Sequence, residues 1–291
     1  MGPLAAICAA ATWAVASLFF ARAGRGVAAA PLNLAKCAIA AAAMMGVDGV
    51  LAGRIWPEDL RIEDLGWLVA SGLLGLTVGD TAFFEALNRL GPRRALLFWA
   101  LVPPLTALLA VPLLAEPLTF PMVLGIGVTM AGVVWVVLER TGADGSTRGQ
   151  VATGLLFGVT AAFCQALGSV LLKRGGTSLS SLEVTLVRLV VGTVGITIHL
   201  AVVGRLAEMR VFRRPRILWD ATLGTLVGTV AGLWLAVYAL QHTYAGVAVT
   251  LNATSPLFAL PLSIWVLGER VTLRATAGAL VAVLGVALLL L

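Results

Sequence analysis

The sequence predicts an all-α polytopic membrane protein, with ten transmembrane helices arranged as two inverted five-helix repeats. Three observations carry this prediction. The 291 residues are 60% hydrophobic and only 12% charged, with a mean hydropathy of +1.01, whereas soluble domains carry about a quarter charged residues. Cutting the chain at its Arg, Pro and acidic punctuation leaves ten apolar stretches of the roughly 20 residues that a spanning helix needs. A shift of 153 residues lays one half of the chain on the other, matching Pro103 with Pro256, Glu116 with Glu269, Thr119 with Thr272, Gly125 with Gly278 and Gly132 with Gly285.

The ten segments fall at 3–21, 28–52, 65–88, 93–114, 119–138, 149–172, 181–203, 217–241, 245–267 and 271–291. The gaps 53–64, 139–148 and 204–216 are too short for a soluble domain, so any chemistry belongs to the embedded body. The shift of 153 also sets Gly75 on Gly228, Gly79 on Gly232 and Ala86-Leu87 on Ala239-Leu240, and a shift of 152 sets Ser17 on Ser169 and Lys36 on Arg188. The domains are therefore 1–138, a connecting loop 139–148, and 149–291. Five is odd, so the second copy enters the membrane from the opposite side, and inverted repeats place a site where the halves meet near the midplane.

The first segment opens on an apolar run without a basic leader, which predicts no cleaved signal peptide; it carries Trp13. The second carries Lys36 and the seventh Arg188, each about 12 Å deep at 1.5 Å per residue. Both are read as structural, snorkelling to the surface or pairing with Asp80 or Glu183. In the third segment Thr77, Thr81, Glu85 and Asn88 recur at helical spacing on one face. Their repeat partners in the eighth are Val230, Trp234, Tyr238 and Gln241. That face is expected to line a cavity, or, for Trp234 and Tyr238, to anchor a helix end at the interface, with Gly75/Gly79 and Gly228/Gly232 packing behind it. Asp80 beside the stripe has two readings: it binds a substrate ammonium or a coupling proton, or it pairs with Lys36.

Pro103 and Pro104 in the fourth segment and Pro256 in the ninth remove backbone hydrogen bonds and are expected to kink their helices. Asn252 and Thr254 near Pro256 are candidate substrate contacts. Glu116 and Glu269 precede the fifth and tenth segments, where a carboxylate complements the positive helix end, and Pro117 is expected at a first helical position. Gln165 in the sixth segment corresponds to Trp13 in the first, and a mid-helix Gln requires a partner or a wet cavity.

Other chemistry has little to build on. Cys8, Cys37 and Cys164 lie inside apolar stretches without CxxC spacing and read as packing residues. The two histidines, His199 and His242, belong to no HExxH, and GxSxG and P-loop motifs are missing, so neither metal, cofactor nor ATP coupling is expected. Lys and Arg number 20 against 14 Asp and Glu, but the basic residues flank apolar runs, which argues for lipid and against nucleic acid. The gaps after the odd-numbered segments, with the segment ends that adjoin them, hold 14 of them and the other gaps 4, which by the positive-inside rule sets both termini outside.

The Pro in the fourth and ninth segments, the Leu-Gly-Glu at 267–269 and the Gly pair Gly278 and Gly285 follow one pattern, and the first half repeats it as Pro103, Leu114-Ala115-Glu116, Gly125 and Gly132. With Val187-Arg188-Leu189 and Trp13, the chain resembles the EamA-type members of the drug/metabolite transporter superfamily over nearly its whole length. Ala115 in place of Gly, Ala14 after Trp13 and Lys36 in place of Arg depart from the pattern and are expected to put no strain on the fold. The resemblance implies a transporter or exporter of small metabolites with cytoplasmic termini, opposite to the charge count.

The reading is thus a secondary transporter of bacterial inner membrane, moving amino acids or related amphipathic compounds through a cavity lined by segments 1, 3, 4, 6, 8 and 9. The expected contacts with cargo are Trp13, Asp80, Thr81, Glu85, Asn88, Gln165, Trp234, Tyr238 and Asn252. A membrane-embedded lipid-modifying enzyme and a non-transporting interaction subunit are the alternatives.

Overall fold

In hydrocarbon each backbone polar group must be satisfied within its own segment, which makes helices the solution for so apolar a chain. The computed structural model describes residues 1–291 apart from 25, 52, 59, 140–147, 256, 259–272 and 290–291. The described elements are α1 (Gly2–Ala23), α2 (Ala29–Leu51), α3 (Ile62–Ser71), α4 (Asp80–Trp99), α5 (Val102–Leu114), α6 (Phe120–Glu139), α7 (Arg148–Gly175), α8 (Ser181–Val202), α9 (Pro215–Gly224), α10 (Trp234–His242), α11 (Ala245–Asn252) and α12 (Leu273–Leu289). A short 3-10 helix, Leu206–Arg213, precedes α9.

Among the described residues six helical stretches are long and apolar enough to cross a bilayer: Gly2–Phe20, Ala29–Leu51, Ile62–Ala86, Ala152–Gly175, Ser181–Val202 and Pro215–His242. Val102–Leu114, Phe120–Trp135 and Thr276–Leu288 are shorter apolar helices. The outer face is apolar, with Leu108, Leu156, Ile198, Leu280 and Leu284 each more than half exposed. The interior is built largely from small residues, with Ala6, Ala9, Ala10, Ala16, Ala161 and Ala166 fully buried, which lets helix axes approach closely where lipid supplies no hydrophobic drive. Multi-pass integral membrane architecture follows. Cys37 and Cys164 are buried as packing residues, whereas Cys8 is exposed on α1.

Among the described residues two helices widen into π turns. Gly72–Gly79 joins α3 to α4, and Thr225–Leu233 joins α9 to α10. A shift of 153 residues carries the first onto the second. Each packs its glycines on another helix. A methyl group at Gly79 would meet Cys164 and Gln165 of α7 at 3.2 and 3.5 Å, and one at Gly168 of α7 would meet Gly75 at 3.1 Å. At the second turn, a methyl at Gly228 would meet Ala16 at 2.5 Å and one at Gly232 would meet Thr12 and Trp13 of α1 at 2.6 and 3.4 Å. Between α6 and α12 the crossing is closer still: a methyl at Gly132 would lie 2.3 Å from the Ala282 nitrogen, and one at Gly285 2.3 Å from the Thr129 nitrogen.

Several boundaries differ from the sequence reading. The expected break before residue 93 is absent, because α4 runs on to Trp99 and the interruption falls at residues 100–101. Pro103 and Pro104 therefore open α5 instead of kinking it, since a first-turn N–H has no helical acceptor to lose. Pro117 is not a first helical residue, because α6 begins at Phe120. Pro256 and Glu269 lie outside the described residues. Ala115 caps α5 in the left-handed region, at φ 53° and ψ 31°, a conformation that favours Gly. The replacement of Gly by Ala there does strain the backbone, contrary to expectation.

Candidate functional site

The first π turn ends at Asp80, and the structure builds a buried polar cluster around it. Lys36 of α2 forms an ion pair with Asp80 Oδ2. Gln165 of α7 donates from Nε2 to Asp80 Oδ1 and, at 3.2 Å, to the Gly75 carbonyl. Lys36 is 2% exposed and Asp80 8%, so neither ion snorkels. In α2 Asn33 stands one turn before Lys36, fully buried. Its Nδ2 donates to the Leu76 carbonyl at 2.8 Å and to Thr81 Oγ1 at 3.1 Å. The Leu76 carbonyl lies within the π turn, where wider turns release carbonyls from the regular ladder. Asn33 and Gln165 thus satisfy the irregular backbone that the glycines create, and they hold the acid at its end. Cys37 donates its thiol to Asn33 Oδ1 at 3.7 Å, and Phe84 lies over Lys36 Nζ at 5.8 Å from its ring centre.

Arg188 of α8 reaches the same region. A methyl group at Gly75 would come within 3.0 Å of Arg188 Nη2, and the guanidinium is close enough to Asp80 to feel its charge. Arg188 neither snorkels nor pairs with Glu183, because it is 3% exposed and Glu183 is committed elsewhere. Arg54 donates to Glu183 Oε1 at 2.6 Å, while Oε2 closes a capping box with Ser180 at the start of α8.

The expected stripe along the third segment is divided. Thr77 faces α8, where a methyl at Gly195 would meet its Oγ1 at 2.6 Å; Thr81 faces Asn33 of α2. Glu85 pairs with Arg89 on its own helix at 3.3 Å, and the Asn88 side chain lies outside the described residues. A spacing of four keeps one face at 3.6 residues per turn, but Thr77 sits in a π turn, which takes an extra residue. Trp13 packs on Gly228 and Gly232 of the second π turn. Trp234 donates from Nε1 to Ser181 Oγ at 3.0 Å, about 10 Å along α8 from Arg188 at 1.5 Å per residue. Tyr238 stacks on His242 with ring centres 4.0 Å apart. The Asn252 Oδ1 is buried without a hydrogen-bond partner among the described residues.

Glu116 does not serve the helix that follows it. Its Oε2 accepts from the Ala245 N–H at 2.7 Å, capping α11, and its other oxygen pairs with Lys173 of α7. Lys173 also donates to the Thr243 carbonyl and Arg174 to the Leu113 carbonyl. These contacts gather the ends of α5, α7 and α10 with the start of α11, while Arg22–Asp220 joins α1 to α9 and Arg89–Thr153 joins α4 to α7. Among the described residues no three His, Cys, Asp or Glu side chains converge to hold a metal.

Sequence reading missed Asn33. Its signal was there: Asn33, Lys36 and Cys37 share one helix face by spacing.

The profile of the EamA-like transporter family matches residues 1–138 and again residues 152–291. Among solved structures 29 chains match. One, described only as the crystal structure of a protein, is 20% identical and superposes with a TM-score of 0.81 over 99% of this chain and 95% of that chain. Its likeness is one of fold. No curated protein matches significantly. The two profile matches span most of the sequence, and the chain belongs to the EamA-like transporter family.

Proposed function

We propose that this EamA-family chain is a secondary transporter of the bacterial inner membrane that exports small metabolites, amino acids or related amphipathic compounds among them, by alternating access. The observation that carries the reading is the cluster of buried Asn33, Lys36 and Asp80 with half-buried Thr81 and Gln165. Ionisable groups inside an apolar bundle are costly and mark substrate or ion pathways.

The architecture that goes with this reading is ten crossings in two inverted repeats, 1–138 and 149–291, joined by the loop 139–148. Support comes from the double profile match and from contacts that repeat under the shift. The α1 contacts Thr12, Trp13 and Ala16 at the second π turn answer the α7 contacts Cys164, Gln165 and Gly168 at the first. The α6 and α12 glycines contact one another's helices reciprocally. In this arrangement Lys36 and Asp80 move with one half, and Gln165 and Arg188 with the other. Rocking the halves makes and breaks the Gln165–Asp80 hydrogen bond, and the glycine crossings supply smooth surfaces for that motion. Thr81, Glu85, Trp234, Tyr238 and Asn252 line the path on either side of the cluster.

Counterflow uptake in proteoliposomes tests the reading, with radiolabelled amino acids, sugars and organic cations presented to wild type, Glu85→Ala and Tyr238→Ala. Saturable uptake of one class, reduced in the variants while they remain folded, is the expected result. Failure of the folded wild type to take up any member removes the carrier reading.

A further inference from the structure

Arg188 is the charge of the cluster that shares the field of Asp80 without a bond to it. It is 3% exposed, its Nε is buried without a hydrogen-bond partner, and it makes no hydrogen bond or ion pair among the described residues. A guanidinium carries five donors and cannot shed its proton inside a protein. Burying it unpaired is strongly unfavourable.

The neighbouring acids are already engaged. Both Asp80 oxygens are held, Oδ2 by Lys36 and Oδ1 by Gln165. Glu183 is held by Arg54 and by the cap of α8. Two cations, Lys36 and Arg188, therefore face one anion, Asp80, and the cluster lacks a single negative charge. Gly75 lets the π-turn backbone come up against the guanidinium without a side chain between them, since a methyl group there would lie 3.0 Å from Nη2.

We propose that Arg188 binds the carboxylate of the cargo, so that the molecules carried are organic monoanions or zwitterions held by their carboxylate end. This rests on the transporter reading above. A carboxylate matches the planar fork of a guanidinium with two parallel hydrogen bonds, and one negative charge neutralises the cluster. A dianion overcompensates it, and a cation meets an acid whose oxygens are both occupied. Asp80 is then the residue that holds Lys36 away from the cargo and keeps the site singly positive.

The test measures thermal unfolding of the purified protein in nanodiscs, titrated with sodium propionate, L-leucine, L-leucine methyl ester and sodium sulfate against chloride at matched ionic strength. The proposal expects propionate and leucine to raise Tm saturably and the ester and sulfate to leave it at the chloride value. In Arg188→Gln the half-saturating concentration rises roughly 10- to 100-fold, as expected for a lost charge-assisted hydrogen bond. That variant also unfolds at the same or a higher temperature without ligand, whereas an arginine with a merely structural role would lower it. Arg188→Lys keeps a weaker carboxylate response. No carboxylate-dependent shift in wild type, an equal shift with the ester, or an unchanged response in Arg188→Gln overturns the proposal. Counterflow separates it from the carrier reading: uptake of sugars or cations with no carboxylate response overturns the site and spares the carrier. A carboxylate shift without uptake sustains the site and removes the carrier.

Discussion

The two π turns share a backbone and differ in chemistry. Gly72–Gly79 and Thr225–Leu233 are related by the shift of 153, and both pack glycines against a crossing helix. At the first, Asp80 ends the turn, with Gln165 across from it. At the second, the shift sets Leu233 where Asp80 stands, and Trp13 takes the place of Gln165. The basic residue survives in both, as Lys36 and Arg188. Lys36 has its acid, whereas the residue corresponding to that acid for Arg188 is a leucine. On the proposed two-repeat architecture the helix crossing is kept twice and its acid once, and the proposal for Arg188 gives the remaining cation the carboxylate of the cargo.

Removing the acid should break the contrast most severely. Asp80→Leu makes the first turn read like the second, but it strands Lys36 and Arg188 as two buried cations. Breaking a buried pair from one side costs about 3–5 kcal/mol, so thermal unfolding in nanodiscs should fall steeply and uptake should vanish. Adding Lys36→Met should restore most of the stability and none of the transport. If the single variant keeps its Tm, the pair is not holding the turn.

A smaller effect is expected across the crossing. Gln165→Leu takes the donor from Asp80 Oδ1 and the Gly75 carbonyl, and an unsatisfied buried acceptor costs about 1–3 kcal/mol. The matching change, Trp13→Leu, leaves no polar group orphaned among its contacts with Gly228 and Gly232. Uptake should therefore drop with Gln165→Leu and persist with Trp13→Leu. The reverse pattern in a counterflow assay would place the working face at the second turn.

Sequence and structure agree where hydropathy alone decides. The first, second, sixth, seventh and eighth segments return as α1, α2, α7, α8 and the stretch from α9 to α10, within a few residues. Disagreement begins where local chemistry has two outlets. Gly91-Pro92 reads as a break, yet α4 continues through it, and Pro103 reads as a kink, yet it opens a helix. Glu116 reads as serving the helix beside it in sequence, while its partners Ala245 and Lys173 are more than fifty residues away. The π turns are invisible to a 3.6-residue period, which is why Thr77 and Thr81 were set on one face. Asp80, Lys36 and Gln165 were legible one by one as ionisable or polar groups inside apolar runs. Asn33 and the isolation of Arg188 were not, because neither follows from spacing without knowing which acids are already taken.

The mildest contrast between the halves lies at the end of α5. The first half carries Leu114-Ala115-Glu116 where the second carries Leu267-Gly268-Glu269. Ala115 holds φ 53° while its N–H bonds the Ala110 carbonyl, so the left-handed cap forms despite the side chain. What compels it is the next residue: Glu116 must cap α11 through Ala245 and pair with Lys173, which fixes the direction in which the chain leaves α5. Ala115→Gly relieves the clash of the methyl group with its own backbone at the cost of a freer unfolded chain. The net should be a stabilisation of about 0.5–1 kcal/mol, read as a small rise in Tm with transport kinetics unchanged. A fall in Tm would mean that the entropy of the unfolded chain outweighs the strain at Ala115.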